Sequence, residues 1–103
     1  MENYLEDIKK YDPSPNETVA EKIARNLRLV MTHKDARYVA VTEKGELDVV
    51  VKNFAMEKLG VSKDKAEIAV NKVAEIMHKD HQKSRITFYY LVAKELNKFS
   101  AIV

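Results

Sequence analysis

The four residues that most readily break a helix are confined to the first part of the chain. Pro13, Pro15, Gly45 and Gly60 are its only prolines and glycines, and residues 61 to 103 contain neither type. Tight turns draw heavily on these two residues. A sandwich or barrel of many short strands is therefore excluded, and a helical fold is predicted. With 46% apolar and 33% charged residues in 103, the chain can build one hydrophobic core. The prediction is a single all-α domain over 1–103, a compact bundle of about five helices.

Apolar spacing locates those helices. Tyr4, Leu5, Ile8 and Tyr11 predict a short first helix, closed by Asp12-Pro13-Ser14-Pro15. Ser14, with Pro15 at the first helical position and Glu17 three residues on, reads as a capping box. It opens a second helix to about His33, whose core face is Val19, Ala20, Ile23, Ala24, Leu27, Val30 and Met31. Residues 34 to 41 read as an extended connector. Thr42 then caps a third helix with Leu47, Val50, Val51, Phe54, Ala55 and Leu59 inside and Gly60 as its stop. A fourth helix is expected from Asp64, through a D-x-x-E box ending at Glu67, to about Lys79, burying Ala66, Ala69, Val70, Val73, Ile76 and Met77.

The stretch KSRITFYYLVAKEL (83 to 96) has the β-branched and aromatic content of a strand. It is nevertheless predicted to be helical, because no breaker adjoins it and AKELNK continues with helix formers. On a helix of about 82 to 98, Ile86, Phe88, Tyr89, Tyr90, Val92, Ala93, Leu96 and Phe99 cover an arc of roughly 200°, which suits a central helix touched from both sides. Thr87, Leu91, Lys94, Glu95 and Lys98 fall on the remaining, polar side.

From VKNFAMEKLGV (51 to 61) through KSRITFYYLVAKELNK (83 to 98) the sequence resembles a family of small bacterial proteins known only as a domain of unknown function. The shared motifs are KNFxxxKLG and RxxFYYL. A weaker likeness extends upstream through Glu46-Leu47 and Val39-Ala40. The resemblance implies a bacterial helical protein with no assigned activity, and it transfers no catalytic residue.

With no cysteine, disulfides, thiol nucleophiles and Cys-based zinc sites are excluded, and a cytoplasmic protein is expected. No stretch approaches the ~18 apolar residues of a membrane span and no signal peptide is visible, so no membrane association is expected. The net charge of +2 divides unevenly: residues 1 to 50 hold 8 basic and 10 acidic side chains, residues 51 to 103 hold 10 and 6.

Three groups of residues could carry function. Lys79, Lys83 and Arg85 surround the expected start of the last helix and could hold a phosphate or nucleic-acid backbone; alternatively Arg85 pairs with Asp80 or with an acid of the N-terminal half. Leu91 on the polar side, with the tail Ala101-Ile102-Val103, could form a self-association patch and a homodimer. His78 and His81 form H-x-x-H, which can share a zinc or nickel ion but lacks an evident third ligand, so they read as solvated loop residues, with no metal and no cofactor expected. The rings of Phe88, Tyr89 and Tyr90 read as core and not as stacking platforms for bases. No nucleotide-binding, nucleophile-elbow or metalloprotease motif occurs. The expected function is protein interaction or self-association without catalysis, and the alternative is an anion- or nucleic-acid-binding module.

Overall fold

A computed structural model describes residues 4–26, 44–78 and 84–102. Among them are five α-helices: α1 (Tyr4–Lys9), α2 (Glu17–Asn26), α3 (Lys44–Val49), α4 (Lys63–Ile76) and α5 (Arg85–Glu95). A π-helix (Val50–Met56) continues α3 directly, and a 3₁₀ turn (Phe99–Ala101) follows α5. The fold is an all-α single domain. The predicted connector at 34 to 41, the Thr42 cap and the second helix beyond Asn26 lie outside the described residues.

The centre of the bundle is α5, packed against α1, α2, α4 and the π-helix. Every residue from Arg85 to Ala93 is buried, including Thr87 and Leu91, which the sequence reading places on a polar side. Phe88, Tyr90, Val92 and Ala93 are fully enclosed. Side chains of α2 (Val19, Ala20, Ile23), the π-helix (Val50, Val51, Phe54, Ala55) and α4 (Ala66, Ala69, Val70, Val73) complete one core around them.

Sequence reading puts one α-helix over residues 42 to 59, and the structure corrects its second half. In the π segment the Glu57 amide donates to the Lys52 carbonyl at 3.1 Å and the Leu59 amide to the Phe54 carbonyl at 3.0 Å, both i→i−5 bonds. The apolar spacing explains the winding. At the ~100° per residue of an α-helix, Leu59 would lie about 180° from Val50. A ring one residue wider advances roughly 80° per residue and brings both onto one face, where Val50, Phe54, Ala55 and Leu59 are all buried.

Helix ends differ from the sequence reading by about one to three residues. The cap of α2 is Asn16, whose Oδ1 accepts from the Val19 amide at 3.1 Å, and not Ser14, whose own amide donates to Asp12 at 3.3 Å. The cap of α4 is Ser62, whose Oγ accepts from the Lys65 amide at 3.4 Å. Asp64 instead occupies the first turn, where its charge suits the helix dipole. The last helix stops at Glu95, not near Lys98, because Asn97 takes φ 55°. The Lys98 amide then donates to the Ala93 carbonyl at 2.9 Å and the Asn97 amide to the Lys94 carbonyl at 3.0 Å. These two bonds form a Schellman motif with asparagine in the usual glycine place. The turn carries Phe99 back to Tyr90, with ring centroids 5.0 Å apart.

Gly60 closes the turn that follows the π-helix, the stop expected of it, at φ +72°, with its amide on the Met56 carbonyl at 3.1 Å. A methyl group at either glycine would meet no heavy atom within 4 Å, so only the backbone separates the two positions. Gly60→Ala is expected to cost about 1 to 2 kcal/mol through the left-handed backbone. Gly45→Ala, inside α3, is expected to stabilise by up to ~1 kcal/mol. Urea unfolding of the two variants checks this, and equal effects would contradict the assignment of Gly60.

Candidate functional site

The residues with the most chemistry lie on or against α5, and acidic side chains from the first half of the chain hold them. Thr87, fully buried, donates its hydroxyl to Asp7 Oδ2 of α1. Asp7 also pairs with Lys10, one turn on, at 2.9 Å. Buried Tyr90 donates to Asp12 Oδ2 at 2.6 Å and accepts the Asn16 amide at 2.7 Å. One phenol thus ties the turn after α1 to the start of α2. Lys94, one turn beyond Tyr90, places Nζ 3.5 Å from Asp12 Oδ1.

Arg85 forms the second cluster. Its Nη2 pairs with Glu46 Oε1 of α3, its Nη1 donates to the Tyr89 hydroxyl at 3.1 Å, and its guanidinium carbon lies 5.7 Å from the Tyr89 ring centroid. That ring stacks on Phe54 with centroids 4.4 Å apart. Burial disfavours the charged guanidinium, but the Glu46 carboxylate and the Tyr89 hydroxyl outweigh it, and the Arg85 pKa stands above its ordinary value. Burial pushes the Tyr89 phenol up, with Arg85 opposing.

The sequence-predicted residues are distributed accordingly. Arg85 is buried and pairs with an acid of the N-terminal half, one of the two alternatives read for it. It is turned inward, which does not suit a surface anion ligand. Lys79, Lys83, His81 and Val103 lie outside the described residues, and His78 is exposed. Leu91 is corrected: it is 5% exposed, because α1 covers the side of α5 that a helical wheel assigns to solvent. Ile102 is likewise buried at 8%, so neither forms an exposed patch. The rings of Phe88, Tyr89 and Tyr90 are in the core as expected. Among the described residues no three His, Asp or Glu side chains converge as metal ligands.

Sequence reading missed Asp7, Asp12 and Glu46 as partners of α5. The available signal was the charge division between the halves, and of the three only the partner of Arg85 was anticipated, as an unnamed acid of the N-terminal half. It also placed Ile76 in the core, whereas Ile76 is 42% exposed and Met77 takes the buried position. The large apolar side chains that do face solvent include Ile68, at 69%, and Ile76, both on α4.

Two substitutions test the clusters. The Tyr90 phenol is pushed up to about 12, first by burial and then by the Asp12 carboxylate. A raised folded-state pKa means stability that is full below the ordinary phenol value near 10 and is lost as pH rises towards about 12. For Asp12, the Tyr90 and Lys94 contacts and the Ser14 amide outweigh burial and lower its pKa below 3.8. Its contribution is therefore present above that pH and lost on acidification below it. Tyr90→Phe is expected to cost about 1 to 3 kcal/mol at pH 7 by stranding Asp12 and the Asn16 amide, and to flatten the stability loss above pH ~10. Denaturation at pH 7 and pH 11 reads both; an unchanged alkaline slope would exclude Tyr90 as its source. Arg85→Gln is expected to cost about 3 kcal/mol by breaking a buried pair, and a melting temperature equal to wild type would show the pair to be dispensable.

Comparison with known proteins gives one assignment. The model of a family described as a protein of unknown function matches residues 3–100. This extends the likeness seen in the C-terminal two-thirds across nearly the whole chain. No curated protein matches.

Proposed function

The chain belongs to the DUF2853 family of proteins of unknown function, and from that premise we propose that it is a small interaction module without catalysis, which makes contact through the outer face of α4. The observation that carries this reading is the contrast between inside and outside. Among the described residues every buried side-chain nitrogen and oxygen has a hydrogen-bond partner, and Arg85, Thr87, Tyr90 and Asp12 are all engaged in holding helices together. Groups fixed in such pairs are structural. On α4, by contrast, Ile68 projects into solvent with 69% of its surface exposed, and Ile76 follows two turns later. An apolar side chain ringed by charges has the make-up of an interface, an apolar centre with a polar rim around it.

The nucleic-acid alternative loses its Arg85, which is paired inside the fold. Among the described residues no helix is long and apolar enough to cross a membrane. A chain without cysteine suits a reducing compartment, and the reading includes a bacterial, cytoplasmic setting.

Site-specific photo-crosslinking in cells tests the proposal. A photoreactive residue at position 68 is expected to give a discrete covalent adduct, whereas the same residue at exposed Asn53 of the π-helix gives none. No adduct through position 68, or equal adducts through both positions, would sink the α4 contact.

A further inference from the structure

We infer that the partner of the α4 face is a second copy of this chain, docked antiparallel about a two-fold axis through Ile68; this rests on the α4 contact proposed above. The inference comes from the ridge that Ile68 occupies. Residues four apart on a helix form one row, and here the row reads Asp64, Ile68, Lys72, Ile76. Asp64, Ile68, Lys72 and Ile76 are all exposed. Opposite charges therefore stand one turn to either side of the most exposed large apolar side chain among the described residues.

A two-fold interface is isologous: the same surface meets itself, reversed. With the axis at Ile68, the two isoleucines cover one another. Asp64 then faces the partner's Lys72, while Lys72 faces the partner's Asp64. The row is complementary to its own reversal, and the two charge pairs flank the apolar centre. Lys72 already pairs with Glu95 of its own chain at 2.8 Å. An ammonium has three donors, so that contact positions the lysine and leaves it able to serve a second carboxylate.

Charge also selects this register over its neighbours. An axis at Lys72 would set Ile68 against the partner's Ile76, but it brings the two Lys72 ammonium groups together, which is repulsive. An axis at Ile76 falls on the last residue of α4, so half of the contact would lie beyond the helix. Only the Ile68 register keeps both flanking turns on α4 and gives each charge an opposite partner. A contact of one helix face is small, in the class of weak, transient interfaces. The dimer is accordingly expected to dissociate with a constant on the order of 100 µM.

Sedimentation equilibrium of the full chain from roughly 10 µM to 1 mM measures this directly. Wild type is expected to pass from monomer to dimer over that range, and Ile68→Glu to remain monomeric. Asp64→Lys and Lys72→Asp are each expected to weaken association about tenfold by placing like charges in contact. The double variant Asp64→Lys/Lys72→Asp is expected to recover most of it, a rescue that damage to one chain's fold would not produce. All three substituted positions are on the surface, and circular dichroism confirms folding. A wild type that stays monomeric to 1 mM, an Ile68→Glu variant that still dimerises, or a double variant no better than the singles would overturn the two-fold contact. Crosslinking at position 68 separates the two readings. Adducts only with other proteins, alongside a monomeric wild type, would remove the self-association and keep the α4 contact; no adduct at all would remove both.

Discussion

The structure depends on α5 being enclosed around its whole circumference. A helix with one apolar stripe can leave its polar side in water, but α5 carries Arg85, Thr87, Tyr89 and Tyr90 into the interior together with its aliphatic and aromatic side chains. Burying an unpaired hydroxyl or guanidinium would cost several kcal/mol. Each polar group on the central helix therefore determines where another element must sit. Thr87 requires Asp7, which brings α1. Tyr90 requires Asp12 and the Asn16 amide, which fix the turn into α2, and Arg85 requires Glu46, which brings α3. Apolar burial supplies the driving force, but it is non-directional. The hydrogen bonds select which packing of these short helices is adopted.

The uneven charge of the two halves follows from the same constraint. Among the described residues two ion pairs cross between them, Asp12 with Lys94 and Glu46 with Arg85, and the hydroxyls of Thr87 and Tyr90 donate to Asp7 and Asp12. In each the acid comes from the first half and its partner from the last helix. A basic C-terminal half therefore does not require an anionic ligand, because part of its charge is answered inside the molecule. It also ties α1 to the rest. Two helical turns have no stability alone, and α1 persists because Ile8 is buried in the core while Asp7 and the following Asp12 reach α5.

Much of this fold was legible in the sequence. The helical class followed from the missing breakers, the central helix from its broad apolar arc, and the stop at Gly60 from glycine's freedom at φ +72°. What was not legible depends on distant partners. Thr87 and Leu91 mark a side of α5 that looks solvent-facing when the helix is taken alone; it is interior because α1, whose Asp7 lies 80 residues from Thr87 in sequence, packs there. The start of α2 moved from Pro15 to Glu17 for a similar reason: Asp12 takes the Ser14 amide and Tyr90 takes the amide of Asn16. The π winding was hidden in a different way. The spacing of Val50, Phe54, Ala55 and Leu59 already departs from an α-helical face, but a period read at about 100° per residue absorbs the drift as a wider stripe.

The enclosure of α5 also decides where function can reside. The motif-rich stretch, with its arginine and consecutive aromatic rings, is the part of the chain that looks most like a binding site, yet its groups hold the bundle together. A phenol that must donate to Asp12 or a guanidinium that must meet Glu46 cannot be offered to a ligand without loosening the helices it joins. Surface function is then left to side chains whose loss the core would not register. Ile68 is such a residue, since its apolar surface contributes to the interior only the fraction that is buried. Exposing it has no evident return in folding stability, and its position between Asp64 and Lys72 gives the outer face of α4 a pattern of charge and apolar surface that the packing of the monomer does not require.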